Sequence, residues 1–199
     1  MAKLAFLILW LGLSTAAEAQ AVLTPPFGLK WGDTPESLIT WADRHSLDIH
    51  ITLPGTEPGL RVIRIEAEKG PLPGSSARAV EARFQSGRLF EVTVHYGGAA
   101  DGPDAVEGRF NEVRRQLTAE HGKLLPNKTE RLVDDNFATR TLSFHRQPVQ
   151  GLSLLLAFTE VEDLLRRTRE ATFSIVYQNL NFRRQLGGGD PAPGPTGAK

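Results

Sequence analysis

His45, His50, His95, His121 and His145 are the side chains of this 199-residue chain best suited to hold a metal or move a proton near neutral pH. No two stand four residues apart on a helical pattern, and no H-E-x-x-H occurs, so the helical zinc arrangement is excluded. His50, His95 and His145 fall on the polar faces of expected strands. A metal there would need three strands to converge without help from cysteine, and solvated strand faces are the expectation. His45 and His121 lie on apolar helix stripes and are expected beside the core. Asp134-Asp135-Asn136 lacks the further spaced oxygens of a calcium loop and reads as a turn. No G-x-S-x-G is present, and Ser75-Ser76 sits in the linker-like PLPGSSA. The alternating acids Glu66 and Glu68, and Glu160 and Glu162, carry no sign of the buried setting that tunes a catalytic carboxyl. No catalytic residue, metal ligand or cofactor is assigned.

A different set stands above this background. Glu91, Thr93 and His95 alternate on one expected strand, and Thr139, Thr141, Ser143 and His145 on another. Ser153, Thr159, Thr172, Ser174 and Gln178 continue the theme. Solvated sheet faces often use longer Lys and Glu side chains. Short hydroxyl and imidazole groups accept a partner surface or a glycan with little side-chain entropy to lose. The competing account is that Thr favours strands. The first seven residues form the candidate binding face.

The elements that position them follow from periodicity. Helical spacing runs over Pro35 to Leu47, with Leu38, Trp41, Ala42 and His45 on one face. It recurs over Pro103 to His121, with Val106, Phe110, Val113 and Leu117, and Gly122 supplies a helix end. Period-two alternation marks strands at Ile49–Leu53, residues 61–68, and Val80–Phe84. Ser86-Gly87 reads as a tight hairpin turn into Phe90–Tyr96. Further apolar sets are Leu142 and Phe144, then Leu152 to Phe158, then Phe173, Ile175 and Tyr177. The segment 159–170 places acids before arginines, as a short surface helix would, with an extended hairpin loop as the alternative. The expectation is an α+β domain with an antiparallel sheet of about six to eight strands, packed on one face by two amphipathic helices.

The chain opens with Lys3, the apolar run Leu4–Leu13 and an A-x-A pattern at Ala17 and Ala19. That is the layout of a secretory signal peptide over residues 1–19, and the run is too short to span a membrane. A periplasmic or secreted location is expected, with no membrane span after signal removal. Cysteine is absent, which excludes disulfides and thiolate chemistry. The 23 basic and 23 acidic residues balance, and loss of Lys3 and Glu18 with the leader keeps the balance. No global field steers nucleic acid to this chain. Residues 24–183 are read as one domain. Residues 185–199, rich in Gly and Pro and without a Walker lysine, are read as a disordered tail. Asn127-Lys128-Thr129 matches a glycosylation acceptor, relevant only in a host with that machinery.

The stretch FGLKWGDTPESL, residues 27–38, reads as a folding signal. Thr34 is placed to accept helix amides, Pro35 suits the first helical position, and Phe27 and Trp31 are apolar anchors. Asp33–Leu38 is echoed by Asp101–Val106, which reads either as a degenerate duplication of a helix-plus-strands unit or as two good helix starts. The pattern F-G-x-x-W-G-x-T-P-E resembles the opening of a diffuse group of exported bacterial proteins of unknown function. In that group a later helix ends in an aromatic-Gly pair, where this chain has His121-Gly122 in place of Tyr-Gly. The resemblance implies export and the fold class, and carries no activity. Small two-unit helix-plus-sheet inhibitors of secreted hydrolases share the general arrangement as a fold-level analogy.

Three functions follow in order. The first is an exported, non-catalytic binding module whose partner is a periplasmic or secreted protein or a glycan. The second is an inhibitor of a secreted or cell-wall hydrolase, contacting through Gly55-Thr56-Glu57-Pro58 or residues 159–170. The third is an enzyme, which requires Glu91, His95 and His145 to converge.

Overall fold

The computed structural model describes residues 23–98 and 100–187. The expected leader, residues 1–19, lies outside them. Helix α1 spans Pro35–Arg44, with Pro35 in its first turn and Leu38 and Ala42 buried. The periodicity carried it to Leu47, but Ser46 takes a left-handed conformation (φ 53°). The amide of Leu47 donates to the carbonyl of Ala42 (3.1 Å) and that of Ser46 to Asp43 (3.2 Å), a Schellman ending that folds Leu47 back onto the core. Thr34 makes no side-chain bond to the helix amides. Its side chain instead bonds the Glu36 carboxyl, holding that group below the usual carboxylate range.

Strands β1 (Asp48–Thr52), β2 (Leu60–Glu66), β3 (Ala79–Gln85) and β4 (Arg88–Gly97) follow, then helix α2 (Pro103–His121). Strands β5 (Leu125–Val133), β6 (Phe137–Val149), β7 (Leu152–Asp163) and β8 (Thr168–Asn179) and a third helix, α3 (Leu180–Gly187), complete the order. The eight strands form one antiparallel sheet in the order β1-β2-β3-β4-β8-β7-β6-β5, so the α+β architecture is the expected one. A helix followed by four strands occurs twice, and the two sets of strands join along β4 and β8. Ser86 and Gly87 both take positive φ (50° and 74°), the geometry of a two-residue hairpin turn between β3 and β4.

Two further segments depart from the sequence reading. Residues 159–170 form no helix: β7 and β8 run through them and meet at Leu164–Arg167. The alternation Thr159, Glu160, Val161, Glu162 is strand-like, and Asp163 Oδ1 closes the turn by accepting the amides of Leu165 and Arg166. Residues 185–187, read as tail, close α3; the remaining tail residues lie outside those described.

Two apolar clusters make the core. One joins Leu38 and Ala42 of α1 to Ile63, Ile65, Val80, Ala82, Val92 and Val94. The other joins Val106, Phe110 and Leu117 of α2 to Leu154, Leu156, Phe158, Phe173 and Ile175. The strand residues of both clusters share one face of the sheet by register. Trp31, Tyr96 and Tyr177 pack against both clusters and tie them together. The opening stretch is pinned where β4 starts: Gly32 donates to the Leu89 carbonyl and Leu89 to that of Asp33, both at 2.9 Å. The Trp31 indole donates to the Leu23 carbonyl (2.8 Å).

Candidate functional site

The seven candidate residues all lie on the sheet face opposite the two clusters. Register fixes this through cross-strand rows. Thr93 opposes Val176, then Leu155, then His145. His95 opposes Ser174, then Ala157, then Ser143. A third row runs Thr172, Thr159, Thr141. The seven do not form one constellation. Glu91, Thr93 and His95 sit on β4, and the other four on β6, with β8 and β7 between. Three strand spacings separate the groups by roughly 14 Å.

The two groups also differ in character. Glu91 is buried: it accepts from Gln178 Nε2 (2.6 Å) and pairs with Arg83 Nε (3.3 Å). Ser143 is buried and its hydroxyl accepts from Asn127 Nδ2 (3.1 Å). These two are part of the sheet's internal bonding. Thr93, Thr139 and Thr141 are half-buried, and His145 is exposed.

His95 stands at a shallow depression of about 250 Å³ whose lining includes Arg64, Arg78, Thr159, Thr172 and Ser174. Its Nε2 is buried without a hydrogen-bond partner among the described residues. Burial, and then the charge of Arg64, pushes the imidazole below its ordinary value of 6.5 against the opposing pull of Glu81 and Glu66. Both arginines are already engaged, Arg78 with both oxygens of Asp101 (3.2 and 3.3 Å) and Arg64 with Glu66 (3.4 Å). The depression therefore offers neutral hydroxyls and an imidazole, rimmed by compensated charge. That chemistry suits hydrogen bonding to a neutral polar surface.

His95 and His145 lie on strands separated by two others, so the convergence with Glu91 that an acid–base or metal reading requires does not form. Among the described residues no group of three or more His, Asp or Glu side chains is placed to hold a metal. His121 is almost buried, as expected, while His45 is exposed at the end of α1, its ring 5.3 Å from Trp41.

Sequence reasoning missed the apolar part of this face. Leu155, Ala157 and Val176 run between the two polar groups, and Leu132, Phe137 and Val161 lie beside Thr139 at the far end. Leu132 is 58% and Phe137 47% exposed. The run Leu152–Phe158 has apolar residues on both faces, so alternation alone does not separate them; the register does.

Two further cavities flank the sheet. One of about 620 Å³ is lined by Leu53, Glu57 and Pro58 of the β1–β2 connection together with Arg61 of β2 and with Thr34 and Pro35. The other, about 250 Å³, adjoins an ion-pair network in which Glu160 holds Arg140 and Arg169 while Arg140 also grips Glu107 (2.7 Å). That network joins α2 to the strands.

No protein-family model, curated protein or solved structure matches this chain.

Proposed function

We propose that this chain is an exported, non-catalytic binding module whose contact surface is the sheet face opposite the core. The observation that carries the reading is the pair of adjacent rows Thr172–Thr159–Thr141 and His95–Ser174–Ala157. They form a broad patch of short side chains with a shallow depression at one end and an apolar strip beside it. Short hydroxyls and small apolar groups lose little freedom when covered, which favours contact with a folded protein or a glycan. Export rests on the leader-like first nineteen residues and on the resemblance of the opening stretch to exported bacterial proteins. Among the described residues no helix is long and apolar enough to cross a membrane. The repeated order of one helix and four strands supports reading the domain as a duplicated unit.

The test is capture from a periplasmic extract of the native host on the immobilised protein, with Thr141→Lys/Thr172→Lys as control. Both positions are at least partly exposed, so the pair leaves folding intact. A saturable partner lost with the control is the expected result. Retention of the same partner by the control removes the sheet face as the contact surface. Ser143 is unsuitable for such a control because it is buried and bonded to Asn127.

A second reading, inhibition of a secreted or cell-wall hydrolase, is favoured by the β1–β2 connection. Leu53 there is 67% exposed beside the 620 Å³ cleft. Leu53→Asp abolishes binding under that reading and leaves it unchanged under the first.

A further inference from the structure

Strand β5 is the outermost strand at one end of the sheet, and almost every residue of it is exposed. An outer strand presents a row of main-chain donors and acceptors to any chain that adds to it. The opposite edge, β1, is only five residues long, whereas β5 has nine. Its exposed apolar residues stand at both ends: Leu125 (45%), Leu132 (58%) and Val133 (66%). Between them lie Lys128 and Glu130, whose charged groups meet at 2.6 Å across Thr129.

We propose that β5 pairs antiparallel with β5 of a second copy of this chain, about a two-fold axis at Thr129, to give a dimer with one continuous sheet. The sequence LPNKTERLV is nearly self-complementary about that residue. A two-fold axis perpendicular to the sheet keeps each residue on its own face, so it must pass through a residue and not between two. Passing through Lys128, Glu130 or Arg131 sets a charge directly against its own copy. Passing through Thr129 sets Lys128 against Glu130 twice, joining the two intrachain ion pairs into an alternating ring of four charges.

The ends agree with this register. Asn127 sits in a bulge and is tied to Ser143, which places Leu125, Lys128, Glu130 and Leu132 on the same face. With the bulge allowed for, Leu132 of one copy meets Leu125 of the other, and both exposed side chains are covered. Pro126 and the bulge also blunt the edge against promiscuous pairing, leaving a short central segment to specify the partner. Because the axis keeps faces, the rows around Thr141 lie on the same side in both copies, doubling the polar surface. The dimer does not depend on that surface being a binding site.

The full chain should run as a dimer in sedimentation equilibrium at high concentration and dissociate on dilution. Glu130→Lys puts lysine against lysine and should weaken the dimer by roughly tenfold or more. Lys128→Glu combined with Glu130→Lys restores opposite charges and should return the dissociation constant to within about threefold of the original. The chain has no cysteine, so Thr129→Cys introduces a single thiol. Residues facing each other across antiparallel strands lie about 4.5–5.5 Å apart between Cα atoms, within disulfide reach, so oxidation should give a covalent dimer. Arg131→Cys lies four residues from its partner position and should not cross-link. A chain that stays monomeric at every concentration overturns the proposal, as does a dimer insensitive to Glu130→Lys, or cross-linking at position 131 in preference to 129.

Discussion

The Phe182 ring of α3 stands 3.2 Å from the point where a Cβ on Gly32 would be. Gly32 also takes a left-handed backbone (φ 84°) while bonding to β4. The Trp-Gly pair of the opening stretch is thus where the start of the chain, the middle of the sheet and the last helix meet. Two separate penalties act on any side chain there. A left-handed alanine costs about 1–2 kcal/mol, and crowding against the ring adds to it. Gly32→Ala should therefore destabilise by roughly 2–3 kcal/mol in urea unfolding. In a Phe182→Ala background the crowding disappears and the cost should fall to the backbone component alone. An equal cost in both backgrounds shows that the ring does not press on this site.

This contact also marks how far the sequence could be read. The folding role of residues 27–38, the antiparallel sheet, the Ser86-Gly87 turn and both long helices all rest on local signals: periodicity, a turn pair and Pro35 or Pro103 at a helix start. Strand β5 escaped because almost all of it is exposed and no buried face alternates along it, and helix α3 because it is only eight residues long and runs into the Gly-rich stretch read as tail. Residues 159–170 take strands in place of the expected helix because acids before arginines also suit ion pairs across strands, which is how Glu160 and Arg169 are used. The candidate face was legible as a set of residues and not as an arrangement. That Glu91 and Ser143 are consumed by internal bonds depends on neighbours contributed by β8 and β5, which no local pattern gives.

Glu160 should be the most sensitive member of the ion-pair network. Its side chain is only 10% exposed, and it holds Arg140 at 2.8 Å and Arg169. Glu160→Gln removes the charge that both guanidiniums share and leaves Arg140 with Glu107 and Arg169 with the exposed Asp104. The expected loss is about 2 kcal/mol, read as a lower urea midpoint at unchanged slope. A change within about 0.5 kcal/mol places the network among surface pairs that contribute little.

Glu107 makes the same network responsive to acid. The hydrogen bonds from Arg140, outweighing partial burial and helped by the charges of Arg140 and Arg169, hold its carboxyl below the ordinary 4.5. A lowered carboxyl favours the fold fully above the unfolded value and loses that contribution as pH falls through the folded one. Stability should therefore decline from about pH 4.5 downward, and Glu107→Gln should make that decline shallower. Parallel acid limbs for the two proteins would show that the Arg140–Glu107 contact does not survive in solution.

His95 governs the window just above. Burial depresses its imidazole below 6.5, with Arg64 adding to the effect and Glu81 and Glu66 opposing it. The unfolded chain then takes up the proton first as pH falls. The fold keeps its full stability above about pH 6.5 and loses part of it between there and the lowered folded value. Below that value both states carry the proton and the loss is complete. His95→Gln carries no titrating ring, so the difference in urea midpoint between it and the natural chain should change with pH across this window and level off on either side. NMR titration of the His95 ring carbon supplies an independent reading, with an expected midpoint below 6.5. A midpoint at or above 6.5 would mean the ring is solvated or stabilised as a cation. A midpoint raised above neutrality would give the depression beside Thr172 and Ser174 a positive charge, and its preferred partner would change to an anionic one.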